Sequence, residues 1–285
     1  MRDFRNWHIT IAGLGVIGGS GGLALRKREC PYVYGIDTNP ESLKKALQMG
    51  IIREGDTQGE ELLKRSDLVV IALYPGLVAD FLRERKGIFA KGALLTDVTG
   101  VKGQLAGELA GILKDRPDLD FILGHPMAGR EKSGIEYASE VVFRDANYLI
   151  AVRPENTREH IETIKEFALF LGFGRVTEVT PDFHDEMIAY TSQLTHAIAV
   201  ALMTSDIEGR DTGKYIGDSF RDLTRIANIN EELWAELFLA NKEALLAAMA
   251  AFSEEFSRIE TALEENDPET LKKMFRRSTR RRNNL

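Results

Sequence analysis

The first two-thirds of the chain alternates short, almost continuously apolar runs with stretches of helical period. Residues 8–12, 32–36, 68–73, 93–97, 119–123, 148–152 and 176–179 are short, rich in Val, Ile, Leu and aromatic residues, and read as strands. Between them, residues 42–48 and 101–113 carry the apolar spacing of one helix face. Asn39-Pro40-Glu41-Ser42 has the form of a helix start, with Pro near the first turn and an acid close behind. Strands alternating with helices predict βαβ units and a largely parallel sheet covered on both faces. After Pro181 the strand signals end. Leu233, Leu237, Leu245, Met249, Phe252, Phe256, Ile259 and Leu263 then recur at helical spacing, and Trp234 and Phe238 widen the stripe. Faces this broad predict helices that dimerise, with a monomeric helical core as the alternative.

Gly13-Leu14-Gly15-Val16-Ile17-Gly18 sits between the first strand and a helical run. Gly13 permits a tight turn, Gly15 lets the backbone approach a pyrophosphate, and Gly18 allows close helix–strand packing. The helix start behind them offers free N–H groups and a positive dipole end. Asp37 closes the second strand, nineteen residues past Gly18, where an acid accepts hydrogen bonds from ribose hydroxyls and repels a 2′-phosphate. NAD rather than NADP is therefore the expected cofactor. Leu73 and Tyr74 end the third strand at the same edge and are expected to line its cleft. The fold class is α/β: a Rossmann-type doubly wound sheet over residues 1–180, then an all-helical C-terminal domain over residues 181–285. Gly19-Ser20-Gly21-Gly22 is unusual in a helix, and implies either a loose start or close approach by other backbone.

Composition narrows the classes. The 37 Lys and Arg against 44 Asp and Glu leave a net charge of −7, which argues against a nucleic-acid-binding surface. The basic run at residues 276–282 reads as a solvated tail. A single cysteine, Cys30, precludes an intrachain disulfide. Residues 1–6 lack an apolar signal core and no 18-residue apolar run occurs, so a cytoplasmic protein with no membrane association is expected.

Five histidines are present, and none is spaced with another as sequence-local metal ligands would be, so no metal is expected. His8 opens a strand and reads as structural, while His160 lies in a charged helical stretch and reads as a surface residue. His184 and His196 lie in the helical part. His125, in Gly124-His125-Pro126-Met127-Ala128-Gly129, follows a strand at the edge where open α/β sheets hold ligands. Imidazole titrates near neutrality, so His125 suits general acid–base work beside a hydride acceptor.

Several segments together resemble the prephenate and arogenate dehydrogenase family of tyrosine biosynthesis. They are the glycine motif with Gly19-Ser20, Asp97-Val98-Thr99-Gly100-Val101-Lys102, residues 124–134, Ser192-Gln193-Leu194-Thr195-His196-Ala197, and residues 220–227. The resemblance implies oxidation of a cyclohexadienol by NAD+ with loss of CO2, the substrate being prephenate or, as the alternative, arogenate. It implies that His125 is the catalytic histidine and that Arg225 binds a substrate carboxylate. His196 would face the substrate side chain, with a buried structural histidine as the alternative. Gln193, Arg221, Asp222 and Glu131 would shape or gate the pocket, and Lys132 and Ser133 would be pocket or loop groups. Tyrosine would be a candidate inhibitor at the same pocket.

The chain departs from the family at Gly100, where many relatives carry a serine, so that Thr99 or a water would take over the hydroxyl's work. Arg130 adds a positive charge, and Gln193 replaces a histidine found in some relatives. Two other readings are weaker. A hydroxyacid dehydrogenase of related architecture would need a catalytic lysine, and residues 187–203 contain none. A catalytically silent NAD-binding sensor is favoured by Gly100 but opposed by His125, His196 and Arg225 together.

Overall fold

The computed structural model describes residues 2–129, 132 and 134–285. Its strands are β1 (Ile9–Ala12), β2 (Val33–Ile36), β3 (Glu54–Asp56), β4 (Leu68–Ile71), β5 (Leu94–Asp97), β6 (Asp120–Pro126), β7 (Asn147–Ala151) and β8 (Arg175–Val179). They form one sheet in the order β3-β2-β1-β4-β5-β6-β7-β8. Strands β1 to β6 pair in parallel, β7 runs antiparallel to β6, and β8 is parallel to β7. The strand order reverses direction between β1 and β4, the crevice where such sheets bind ligands.

Helices α1 (Val16–Lys27), α2 (Pro40–Gln48), α3 (Glu60–Leu63), α4 (Pro75–Arg85), α5 (Gly103–Ile112) and α6 (Arg158–Leu171) cover the sheet. Alternate residues of the buried strands serve the two faces. Ile9, Ile11, Leu68, Leu94 and Ile122 join one core, and Ala12, Val69, Leu95, Phe121 and Leu123 the other. The strand expected over residues 119–123 is longer than its apolar run: β6 continues through Pro126, and His125 pairs with Leu149 of β7. Strand β3 was not foreseen because Glu54-Gly55-Asp56 is polar and lies at the sheet edge.

The helical part follows with α7 (Pro181–Ile188), α8 (Leu194–Thr204), α9 (Asp218–Thr224) and α10 (Glu231–Ala240). A π-helical turn, Ala189–Gln193, joins α7 to α8. The chain packs as one compact unit ending at Asn241 and a second, Lys242–Leu285. The second unit is the hairpin of α11 (Lys242–Glu264) and α12 (Pro268–Arg282). The basic run at residues 276–282 is corrected from a solvated tail to the last turns of α12, exposed but helical, with Arg277 paired to Glu255 at 3.2 Å. Among the described residues no helix is long and apolar enough to cross a membrane.

Candidate active site

Three helices start at the carboxyl ends of strands that border the crevice. At α1 the chain turns through Gly13, whose φ of +92° suits glycine and whose hypothetical Cβ would lie 2.3 Å from the Ala72 carbonyl oxygen. A Cβ on Gly18 would meet the Gly13 carbonyl at 2.0 Å, whereas one on Gly15 would meet nothing within 4 Å. The open side of Gly15 and the uncapped start of α1 therefore form a cradle for an anion. Asp37 ends β2 beside it. Its carboxylate accepts from the N–H of Leu14 (2.8 Å) and of Asn39 (2.9 Å), which fixes it in place with lone pairs to spare. These groups fit a dinucleotide. Gly19 and Gly22 have a packing role: a Cβ there would come within 2.9 Å of Ala138 and 2.4 Å of Ile51.

A cavity of about 1000 Å³ runs from Gly15–Gly18 past Leu73 and Tyr74 to His125, His196, Arg225 and Trp234. His125 contributes one ring edge to it. On the other edge, His125 Nδ1 lies 2.9 Å from His184 Nε2, and His184 Nδ1 lies 2.7 Å from Asp185 Oδ1. Asp185 in turn accepts from the N–H groups of Lys102 (2.9 Å) and Gly103 (2.7 Å) at the start of α5. Burial, His184 and the Lys102 cation all hold the His125 pKa well below the ordinary imidazole value. His184 is likewise lowered, chiefly by burial, although Asp185 pulls it back up.

The backbone before His125 is clamped by a buried ion pair. Lys102 Nζ bonds Asp97 Oδ2 at 2.5 Å, Thr99 Oγ1 at 3.0 Å and the Gly124 carbonyl at 2.6 Å, while Asp97 Oδ1 accepts from Gly124 N–H at 3.0 Å. Neither side chain of the pair is exposed. Burial pulls the Lys102 pKa down and Asp97 opposes it. Removing one partner of such a pair costs about 3–5 kcal/mol, because the other charge is left buried alone. On the opposite wall, His196 stacks on Trp234 with ring centroids 3.6 Å apart, and its Nδ1–H donates to the Ser192 carbonyl at 2.9 Å. Among the described residues no group of three His, Cys, Asp or Glu is arranged to hold a metal ion.

Residues 22–176 match the family model described as prephenate dehydrogenase, nucleotide-binding domain, and residues 180–277 match its dimerization domain. The chain belongs to the prephenate dehydrogenase family. It is 30% identical over 276 residues to the prephenate dehydrogenase of Bacillus subtilis (strain 168), covering 94% of this chain and 73% of that one. It is 28% identical over 284 residues to the cyclohexadienyl dehydrogenase of Zymomonas mobilis, covering 96% and 94%. A solved prephenate dehydrogenase from A. aeolicus, in complex with hydroxyphenyl propionate and NAD+, superposes with a TM-score of 0.86 at 30% identity, over 97% of this chain and 98% of that one.

Within this prephenate dehydrogenase family member, the cavity brings together Gly15, Val16, Ile17, Gly18, Leu73, Tyr74, His125, His196 and Arg225. Gly13, Leu14 and Asp37 support the cradle from behind. Three predicted roles change. Thr99 borders the cavity, but its hydroxyl donates to Asp97 or to the Val101 carbonyl (3.1 Å) and accepts from Lys102, so it serves the clamp rather than a ligand. Gln193 also borders the cavity, yet its buried amide donates to the Leu237 carbonyl (2.8 Å) and accepts from Asn241 (2.8 Å), which makes it a strut. Arg221 is exposed on α9 and paired with Asp218 at 3.0 Å, away from the cavity lining. Glu131, like Arg130 and Ser133, lies outside the described residues. Lys132 borders the cavity, with its ammonium 4.7 Å from the Tyr137 ring centroid. At Gly100 a Cβ would meet Leu237 at 3.0 Å and His125 Cε1 at 3.9 Å.

The sequence reading assigned no role to His184, Asp185 or Lys102. A signal for the first two was present: His184-Asp185 stands in the first turns of a helix started by Thr180-Pro181. Lys102 stood in a quoted motif without a role. His160 is not a free surface group either, since its Nδ1 lies 3.0 Å from Asp120.

Proposed function

We propose that this protein oxidises prephenate to 4-hydroxyphenylpyruvate and CO2 with NAD+, in tyrosine biosynthesis. The observation that carries the reading is that His125, the glycine cradle and Arg225 all face one cavity. Gly15 and the start of α1 would hold the pyrophosphate of NAD+ and Asp37 its ribose, and the bound cofactor would supply the hydride acceptor. His125 takes the proton of the ring hydroxyl as the carbinol C–H bond breaks. The ring then holds a carbonyl, and the C–C bond to its carboxylate breaks to restore aromaticity. Arg225 binds a carboxylate of the substrate, for which a planar guanidinium fork is suited. His196, fixed by Ser192 and Trp234, presents a ring edge to the substrate side chain.

A second reading is arogenate, which differs in carrying an ammonium on the side chain. Its support is that Glu231 and Glu232 border the same cavity. Initial rates with prephenate and arogenate, each with NAD+ and NADP+, test both readings. Rapid NAD+-dependent turnover of prephenate is expected, and no turnover of either substrate would refute the enzyme and leave a silent NAD-binding sensor.

The functional division lies near residue 180, where the strand–helix alternation ends. The helices beyond it support a homodimer, since Leu239, Leu246, Phe252, Phe256 and Leu263 are exposed on them. Sedimentation at micromolar concentration checks this, and a stable monomer refutes it. Tyrosine, carrying a carboxylate and the product's ring, is expected to compete for the same cavity.

A further inference from the structure

We propose that Asp185, acting through His184, is the positioning residue that keeps the basic lone pair of His125 on Nε2, toward the cavity. The inference rests on the reading above, in which His125 accepts the proton of the substrate hydroxyl.

The chain of donors has only one polarity that satisfies every atom. An ionised carboxylate can only accept, so His184 must carry its proton on Nδ1, 2.7 Å from Asp185 Oδ1. His184 is buried and its basicity is lowered, so it holds one ring proton and its Nε2 is an acceptor. His125 Nδ1, 2.9 Å away, must then be the donor. That leaves Nε2 of His125 without a proton on the cavity side. The proton on Nδ1 is the minority tautomer of free histidine, so the protein has to impose it.

The Asp185 carboxylate accepts from two donors outside its own helix. Lys102 N–H reaches Oδ1 and Gly103 N–H reaches Oδ2, both at the positive end of the ten-residue helix α5. Lys102 thus acts at both ends of His125. Its ammonium grips the Gly124 carbonyl next to the histidine, and its N–H orients the carboxylate that sets the ring's tautomer. Gln193 and Asn241 brace the same place, because Asn241 Nδ2 donates to the Asp185 carbonyl at 2.9 Å.

Two substitutions in the full-length chain separate polarity from mere packing. In Asp185→Asn the amide can donate to His184 Nδ1, which reverses the chain and puts the His125 proton on Nε2. Turnover of prephenate should fall by about 10²–10⁴-fold, with KM for prephenate changed less than about threefold. In His184→Gln the amide oxygen can accept from His125 while its NH2 donates to Asp185, so polarity survives and the loss should stay within about tenfold. Equal losses in the two variants would overturn the proposal, as would an Asp185→Asn enzyme within about threefold of the parent. Nitrogen-15 NMR of the imidazoles of the unmodified protein, without substrate, reads the tautomer directly. Neutral His125 protonated on Nδ1 is expected, and protonation on Nε2 would overturn the proposal. If the parent enzyme oxidises neither substrate, the functional reading fails while the NMR result still decides the tautomer.

Discussion

The starts of α1 and α5 face the same edge of the sheet and are treated in opposite ways. At α1 no side chain caps the first N–H groups, and a side chain at Gly15 would stand in open space. At α5 the helix has no cap of its own, and Asp185 from α7 takes the N–H groups of Lys102 and Gly103. The start of α4 follows the second pattern, with the Gly76 N–H held by Glu236 from α10. One physical property, the positive end of a helix, is thus left open in one place and serves assembly in two others. The deciding factor is whether the fold delivers a carboxylate to that end.

The contrast can be broken or sharpened by substitution, beginning at the chemical end. His125→Asn should lower turnover by about 10³-fold with little change in the KM for NAD+, because general-base catalysis is lost while the cradle is untouched. Parental turnover in that variant would remove His125 from the chemistry. Arg225→Ala should mainly raise the KM for prephenate, by about 10–100-fold, the size of a charge-assisted hydrogen bond that persists into the transition state. A fall in kcat without a change in KM would assign Arg225 elsewhere.

The pH profile probes the assembled side. His125 is faced by His184 of α7 and by the Lys102 cation before α5, with Asp185 behind His184 and Asp97 behind Lys102. Its folded pKa lies below the ordinary value of 6.5, so the neutral, basic form dominates at neutrality. Activity should be flat just above pH 6.5 and fall only below it. Stability follows the same sign. The unfolded chain takes up protons at His125 and His184 before the folded one does, so stability is complete above pH 6.5 and declines as pH falls. Kinetics and thermal melts over pH 5–8 check both, and an acid limb above pH 7 would contradict the buried relay.

The open end is probed by a pair of glycines. Gly18→Ala drives a Cβ against the Gly13 carbonyl and should cost about 1–3 kcal/mol of stability. Gly15→Ala should leave the melting temperature nearly unchanged, since its Cβ meets nothing, yet raise the KM for NAD+ several-fold. Equal melting temperatures for the two variants would mean that the cradle is not built as described. The smallest effect is expected from Asp37→Ser, which should narrow the preference for NAD+ over NADP+ without altering turnover of bound prephenate. An unchanged preference would free Asp37 from the ribose role.

These outcomes divide along a line already visible in the residues. The cradle was legible because its parts are consecutive: a buried strand, three glycines and a helix, with Asp37 one strand away. The relay was not, because His125 and His184 stand 59 positions apart and meet only when α7 packs on the end of β6. Gln193 reads as a ligand group until Asn241, 48 residues on, is found to hold its amide. The hydroxyl of Thr99 reads as a helper of His125 until Lys102 and Asp97 claim it.

The sequence by itself determined the parallel sheet, the helical second half, the dinucleotide cradle and the family, because strand burial, helix period and turn chemistry are local in the chain. Tertiary structure alone decided which helix ends stay open, which polar groups are spent on assembly and which nitrogen of His125 faces the cavity. Those outcomes depend on hydrogen bonds between distant segments, and a buried donor or acceptor takes whichever partner the packing brings within about 3 Å.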